Sequence, residues 1–305
     1  MNPMRQKLIS HITGLLDPTR VTINRQAIEA VEADFAGFAL AEARLPFAVE
    51  QPRDVIPYLL AQTALQYRFW DGSGENFCRY ALDGKVGSVA MVMGFDIAWG
   101  TGPLPGTEML ACANVPFATT NAKAKDLLQR HFGDIPDPVS RIAILSEVLT
   151  VTRLARVTTA LDEALRAGRA GVEEALLISK EFPLAYGDPF IKKSQLAISL
   201  MAAEYRRAGV SVTPDVFAFA DYQVPAVMRH FGILEYSDKL AAKVDSRQLL
   251  EKGGQDELAI RAATVIGCEM FAEHHGVTAA ETDWFFWLKR KEPVLPFHLT
   301  ETTAY

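Results

Sequence analysis

The spacing of apolar residues is the feature that most constrains what this chain can fold into. Apolar side chains return every three or four positions over most of the sequence, whereas strand-like alternation is rare. This spacing places apolar side chains on one face of an α-helix. The stretches that show it are 24–43, 54–70, 137–165, 189–207, 255–275 and 278–291. The sequence therefore predicts a compact, all-α protein.

Turn-forming residues indicate where several of these helices begin and end. Asp137, Asp188 and Thr213 each stand directly before a proline, and a capping side chain followed by proline is typical of the first helical turn. Gly276 follows the stretch that ends at residue 275, as a C-terminal cap would. Glycines interrupt residues 71–121 repeatedly, so we expect loops there, which either line a pocket or form a flexible surface.

The size of the chain bounds its domain organisation. Of its 305 residues, 49% are hydrophobic, which provides enough apolar surface for a complete core. We expect a single domain over residues 1–305. Phe182, Pro183 and Gly187 indicate a loop, and we place there a boundary between a helical lobe (1–180) and a second lobe (181–305) that carries most of the motifs.

Charge and cysteine usage exclude several classes of protein. A net charge of -6 argues against the basic surface with which proteins bind a nucleic-acid duplex. Cys78, Cys112 and Cys268 lie far apart without a CxxC pair, so neither a disulfide framework nor a zinc site is indicated. The N-terminus reads as an amphipathic helix rather than a signal peptide, and an apolar run long enough to span a membrane is not found. We expect a cytoplasmic monomer without stable nucleic-acid or membrane partners.

Asp221 is the first candidate functional residue. It interrupts the apolar run that begins at Phe217, and Pro225 four residues later is compatible only with the first turn of a new helix. Asp221 therefore lies at or just before the start of that helix. It either caps the helix through backbone N–H groups, or it is a carboxylate held in a pocket, where it stabilises positive charge or activates water.

Lys192 and Lys193 are predicted to lie in the first turn of a helix that follows Asp188 and Pro189. The helix dipole disfavours cations at that end, so an anionic partner is indicated, either a substrate phosphate or a nearby carboxylate. The alternative is that both lysines are simply solvated. The residues alone do not decide which of the two faces a pocket.

Aromatic residues are concentrated in three places, 67–70, 76–77 and 283–287. Such rings can stack on a base, and a carboxylate among them can read hydrogen-bond donors on the edge of that base. Aromatic residues at helical spacing can equally belong to the core.

These segments, taken in order, resemble the queuosine salvage protein family. The resemblance is carried by seven blocks in the order that the family has, and it is strongest from about residue 182 onward. The blocks are Asn76-Phe-Cys78, Phe190-Ile-Lys-Lys-Ser-Gln-Leu196, Phe219-Ala-Asp-Tyr-Gln-Val-Pro225, Phe231-Gly-Ile-Leu-Glu-Tyr-Ser-Asp-Lys-Leu240, Asp256-Glu-Leu-Ala-Ile-Arg-Ala262, Asp283-Trp-Phe-Phe-Trp287 and Pro296-Phe-His298.

The resemblance implies a fold similar to that of helical DNA glycosylases and hydrolysis of the N-glycosidic bond of queuosine 5'-phosphate, a small-molecule nucleotide, to queuine and ribose 5-phosphate. It implies Asp221 as the catalytic carboxylate and Lys192 as its polar partner, without cofactor or metal. Residues expected to line the base and phosphate sites are Asn76, Phe77, Tyr222, Tyr236, Arg261, Asp283 and Trp287.

Two other functions remain open from the sequence. One is a DNA-glycosylase-like enzyme, against which the acidic composition argues. The other is a non-catalytic protein that binds queuine or the nucleotide without cleaving it.

Overall fold

The computed structural model describes residues 2–35, 45–113, 121–290 and 295–305, and within them the chain is mainly helical, as the apolar spacing predicts. The α-helices are α1 (Pro3–Thr13), α2 (Arg25–Ala30), α3 (Val55–Ala64), α4 (Ser88–Trp99), α5 (Thr107–Ala113), α6 (Asn121–Phe132), α7 (Pro138–Val148), α8 (Val151–Arg166), α9 (Val172–Glu181), α10 (Pro183–Tyr186), α11 (Lys192–Arg207), α12 (Gln223–His230), α13 (Asp238–Asp245), α14 (Gln255–His275) and α15 (Ala279–Lys289). No helix in these ranges is long and apolar enough to cross a membrane.

Short strands form three two-stranded antiparallel ribbons. The strands are β1 (Val21–Ile23), β2 (Trp70–Asp71), β3 (Cys78–Arg79), β4 (Ala81–Leu82), β5 (Lys85–Val86) and β6 (Leu234–Tyr236). β1 pairs with β6, so the N-terminal region is joined to the segment that follows α12. The ribbons β2–β3 and β4–β5 lie in the glycine-rich region for which loops are predicted.

Helix α3 is the centre of the largest apolar core. All ten of its residues are buried, and α11, α7 and α8 pack around it. A second core cluster lies under α12, α14 and α15. Because α11 packs on α3 and α12 packs on α15, the residues at the starts of α11 and α12 are held on rigid elements.

Several helix ends differ from the predicted ones. Helix α3 stops at Ala64 rather than continuing to Trp70, which belongs to β2. The guanidinium of Arg141 donates to the carbonyls of Leu65, Tyr67 and Arg68 at 2.8–3.2 Å. The carbonyl groups after the helix therefore bind a buried cation instead of continuing the helical hydrogen bonds, which also suits the negative end of the helix dipole.

Other predicted boundaries were correct or wrong for local reasons. Helix α14 has the predicted bounds, with Gly276 at φ 67° as its C-terminal cap. The stretch 137–165 is two helices, α7 and α8, separated at Thr150. The proline after Thr213 does not start a helix, because that segment is held in an extended path by the bond from the Asp215 N–H to the Ala170 carbonyl. Of the stretch 24–43, residues 25–30 are helical and residues 36–44 lie outside the described ranges.

Candidate active site

Asp221 stands at the point where an extended, buried segment enters α12. Its Oδ1 accepts the backbone N–H groups of Gln223 at 2.7 Å and Val224 at 3.0 Å. This is the helix-capping role that the sequence left open. Within the described part of the chain, Oδ2 accepts no hydrogen bond, and the side chain is partly exposed. One oxygen therefore fixes the carboxylate while the other is available to a ligand.

Lys192 is the first residue of α11 and is buried. Burial lowers the pKa of its ammonium group, and the nearby carboxylates of Asp221 and Asp283 oppose that shift. Its Nζ lies 3.5 Å from the carbonyl oxygen of Gln66. Lys192 is thus a buried cation that shares its surroundings with two carboxyl groups.

Lys193 faces elsewhere. Its Nζ donates to the Ala64 carbonyl at 2.7 Å and lies 4.9 Å from the centre of the Tyr67 ring. Burial, followed by repulsion from Lys192 and Arg141, lowers the pKa of Lys193 well below its ordinary value. The interpretation of the two lysines as a solvated pair is therefore wrong, and Lys192 is the one near the aspartates.

Asp283 lies in α15 and is buried, with 3% of its surface exposed. Its Oδ1 accepts the backbone N–H of Phe219 at 2.7 Å. Burial and the neighbouring carboxylate of Asp221 raise the pKa of Asp283 to about 8, against the opposing effects of the Phe219 N–H and Lys192. Asp283 is therefore the carboxyl group of this site that holds its proton more strongly than an exposed aspartate does.

Arg261 fixes the backbone around these groups. Its guanidinium donates to both carboxylate oxygens of Asp188 at 2.8 Å, and its Nε donates to the Ala220 carbonyl at 3.0 Å. Burial disfavours the charged form of both partners, but their attraction prevails, so the pKa of Asp188 is lowered and that of Arg261 is raised. Asp188 also accepts the Lys192 N–H at 2.9 Å. This buried pair joins the start of α11 to the residue before Asp221.

Tyr222 and Phe77 belong to an aromatic cluster beside Asp221. Phe297 contacts both rings, with centroid distances of 4.7 Å to Tyr222 and 5.7 Å to Phe77. The Tyr222 hydroxyl accepts the Phe69 N–H at 3.3 Å. Phe77 and Phe297 line a cavity of about 90 Å³, so part of the glycine-rich region does line a pocket, as one reading of the sequence predicts.

Trp287 lies on α15, where its ring stacks on Trp284 at 4.5 Å and the Arg290 guanidinium covers it at 3.1 Å. Burial lowers the pKa of Arg290 to about 10, although the nearby Asp221 and Tyr222 oppose the shift. Arg290 is consequently a second cation near Asp221. It lies outside the recognised sequence blocks, which is why sequence reasoning missed it.

Asn76 and Tyr236 are less closely connected with this group. Asn76 is exposed in a short 3-10 helix, next to Phe77. Tyr236 pairs with Val21 across the β1–β6 ribbon, and the Arg229 guanidinium lies 4.8 Å from the centre of its ring. The structure therefore brings Lys192, Asp221, Tyr222, Asp283 and Arg261 together.

The fold and this site define a helical protein in which a buried lysine and a buried carboxyl group with a raised pKa lie near a partly exposed, helix-capping carboxylate. Such a set suits cleavage of a bond at a carbon that develops positive charge. The chain belongs to the queuosine salvage protein family, whose sequence pattern matches residues 47–305.

Curated relatives agree with this membership. The chain is 29% identical to the queuosine 5'-phosphate N-glycosylase/hydrolase of Sphaerobacter thermophilus over 193 residues. This alignment covers 57% of this chain and 59% of that protein. The protein of the same name from Dictyostelium discoideum is 30% identical over 128 residues, covering 38% of this chain and 40% of the relative. The protein of that name from Bos taurus is 24% identical over 234 residues, and the alignment covers 72% of this chain and 67% of the relative. The matches thus span less than two thirds of the first two relatives.

Proposed function

We propose that this protein hydrolyses the N-glycosidic bond of queuosine 5'-phosphate and releases queuine and ribose 5-phosphate. The observation that carries the proposal is the cluster of Lys192, Asp221 and Asp283, in which one carboxylate is partly exposed and the other carboxyl group is buried and has a raised pKa. The names of the relatives support the choice of nucleotide.

In this mechanism Asp221 stabilises the ribose as the bond to the base breaks. The electron pair of the C1'–N bond leaves with the base, so positive charge develops on the sugar, and a fixed carboxylate stabilises that charge more in the transition state than in the neutral ground state. The oxygen that faces this charge, or that accepts a proton from the attacking water, is Oδ2 of Asp221, which accepts no hydrogen bond from the described residues. The water oxygen then bonds to C1'.

Asp283 supplies the proton that the leaving base requires. Queuine is a 7-deazaguanine and lacks the N7 position through which ordinary purines are protonated, so assistance must come at another position of the ring. Because the Phe219 N–H occupies Oδ1 of Asp283, the proton of the neutral acid belongs on Oδ2, where it can be donated. A carboxyl group whose pKa is raised, lying near a second carboxylate, is the arrangement expected of an acid and base pair.

Lys192 balances the charge of the site. It keeps an opposite charge near Asp221 and limits the rise in the pKa of Asp283. An opposite charge within a few ångströms favours the ionised form of a carboxyl group. We assign to Lys192 the role of a positive charge that balances the two carboxyl groups and orients Asp221.

The substrate is a free nucleotide, and we propose that the protein acts as a cytoplasmic monomer. The free cysteines Cys78, Cys112 and Cys268 fit a reducing compartment, and the net charge of -6 fits a small substrate better than a nucleic-acid duplex. Size-exclusion chromatography with light scattering tests the monomer, because a dimer would elute with twice the mass.

Release of the free base from queuosine 5'-phosphate, followed by chromatography, tests the function. We expect turnover on this nucleotide and none on damaged duplex DNA. Base release from the duplex alone would instead support a DNA glycosylase. Tight binding of the nucleotide without release by the native protein would support a binding protein.

A further inference from the structure

The cavity beside Tyr222 is bordered by two arginines. Its wall includes Phe77, Phe297 and Leu299, with Arg79 and Arg247 at the rim. At about 90 Å³, it has the volume of about three water molecules. That is too small for a nucleotide, since sites that enclose a whole small molecule are typically about 300 Å³ or larger. It is large enough for one small group of a larger ligand.

Both arginines rest on aromatic rings of the cavity wall. The Arg247 guanidinium lies 4.3 Å from the centre of the Phe77 ring, and that of Arg79 lies 5.5 Å from the centre of the Phe297 ring. Neither forms an ion pair or a side-chain hydrogen bond with any residue in the described ranges, and both are exposed. Stacking thus orients two guanidinium groups while leaving their N–H donors available, which suits an anion with several oxygens.

The backbone holds the two arginines at this cavity from distant parts of the chain. Arg79 is paired with Trp70 in the β2–β3 ribbon. Arg247, which follows α13, adopts the left-handed conformation with φ 56°, and its carbonyl accepts the Gly74 N–H at 3.0 Å. This hydrogen bond therefore connects the turn before β3 to Arg247.

The cavity adjoins the candidate active site. Phe297 forms part of its wall and contacts the Tyr222 ring at 4.7 Å, and Tyr222 directly follows Asp221. Arg79 is close enough to Tyr222 to oppose the rise in the pKa of that phenol. A ligand with its sugar at Asp221 can therefore extend one end toward the two arginines.

We infer that Arg79 and Arg247 form an anion subsite that binds the 5'-phosphate of the nucleotide, while Phe77 and Phe297 hold the two guanidinium groups in place. This inference rests on the proposed function for the identity of the ligand. It assigns to the arginines a role in distinguishing the nucleotide from the nucleoside, and none in bond cleavage.

The test compares kcat/KM for queuosine 5'-phosphate and for queuosine in the native protein and in Arg79→Gln, Arg247→Gln and the double variant. Arg130→Gln is the control of equal charge change, because Arg130 is exposed on α6 and pairs with Glu108. For each single variant we expect kcat/KM for the nucleotide to fall by about 10- to 100-fold, as for loss of a charge-assisted hydrogen bond. The values for the nucleoside and for the control should stay close to those of the native protein.

Equal losses on both substrates, or no loss on the nucleotide, would overturn the inference. If the native protein releases base from neither substrate, the proposed function fails, and the subsite is then judged by binding of ribose 5-phosphate measured by calorimetry. Weaker binding in the double variant than in the native protein and Arg130→Gln would support the anion subsite. Equal binding in all three would contradict it.

Discussion

The backbone N–H of Phe219 donates a 2.7 Å hydrogen bond to Oδ1 of Asp283, and this bond joins the segment that carries Asp221 to helix α15. The same carboxyl group is buried and has a pKa raised to about 8, first by burial and then by Asp221. Asp283 therefore both positions the segment and titrates in the physiological range.

Asp283→Asn separates these two roles. The amide oxygen still accepts the Phe219 N–H, but the side chain cannot transfer a proton. We expect kcat to fall by about 10²- to 10⁴-fold, the usual contribution of a general acid, with nucleotide affinity retained. Single-turnover base release together with equilibrium binding measures both quantities. Normal turnover in this variant would exclude Asp283 as the acid.

The raised pKa of Asp283 also predicts how the free energy of unfolding depends on pH. Between its ordinary pKa of 3.8 and the raised value of about 8, the folded protein holds a proton that the unfolded chain has released. The free energy of unfolding therefore decreases as pH rises through this interval. Asp283→Asn removes this contribution, so the stability of the variant should increase relative to the native protein between pH 5 and pH 9, by at least about 1 kcal/mol, the equivalent of one pKa unit. Denaturant unfolding at pH 5 and at pH 9 measures the free energy of unfolding of both proteins. The same difference between variant and native protein at the two pH values would contradict this prediction.

Lys192→Met and Lys193→Met form a matched pair, because the two lysines are adjacent and both are buried. Lys192→Met should lower kcat/KM by about 10- to 100-fold. It should also move the alkaline limb of the pH–rate profile to higher pH, since Lys192 lowers the pKa of Asp283. Lys193→Met should retain most of the activity, because Lys193 bonds to Ala64 away from the aspartates. The reverse pattern would show that Lys193 is the functional lysine.

We predict that the buried ion pair of Arg261 and Asp188 holds the start of α11 and the backbone before Asp221 in place. Arg261→Met leaves the buried carboxylates of Asp188 and Glu257 without this cation, and we expect a loss of about 3 to 5 kcal/mol in the free energy of unfolding. Adding Asp188→Asn should recover part of that loss, since the uncompensated charge is removed. A double-mutant cycle by denaturant unfolding measures the coupling, and additive losses would contradict a direct interaction.

The fold class and much of the candidate site could be predicted from the sequence, because both depend on local patterns. Apolar spacing and Gly276 predict the bounds of α14, and Pro225 predicts where α12 begins. Lys192 and Asp221 follow from their predicted places at helix starts, and the family resemblance implies their roles. The early end of α3 was not predictable, because it depends on Arg141, a residue distant in sequence whose guanidinium binds the carbonyls after the helix.

The roles of the two lysines and of the arginines needed three-dimensional information. Adjacent residues on a helix point in different directions, and only the packing of α11 on α3 determines that Lys193 bonds to Ala64. Arg79 and Arg247 are far apart in sequence and meet through the Gly74 N–H bond to the Arg247 carbonyl. Their lack of carboxylate partners in the described ranges is a property of the surface that no sequence pattern records.

Asp221→Asn tests the central claim, and Asp221→Ala serves as its structural control. The asparagine can still cap α12 through its side-chain oxygen, whereas alanine cannot and should cost about 1 kcal/mol of stability. The measurement is the rate of queuine release from queuosine 5'-phosphate by Asp221→Asn, with nucleotide binding measured in parallel. We expect release to fall by several orders of magnitude while binding persists. Release at the native rate would contradict the assignment of Asp221 as the catalytic carboxylate.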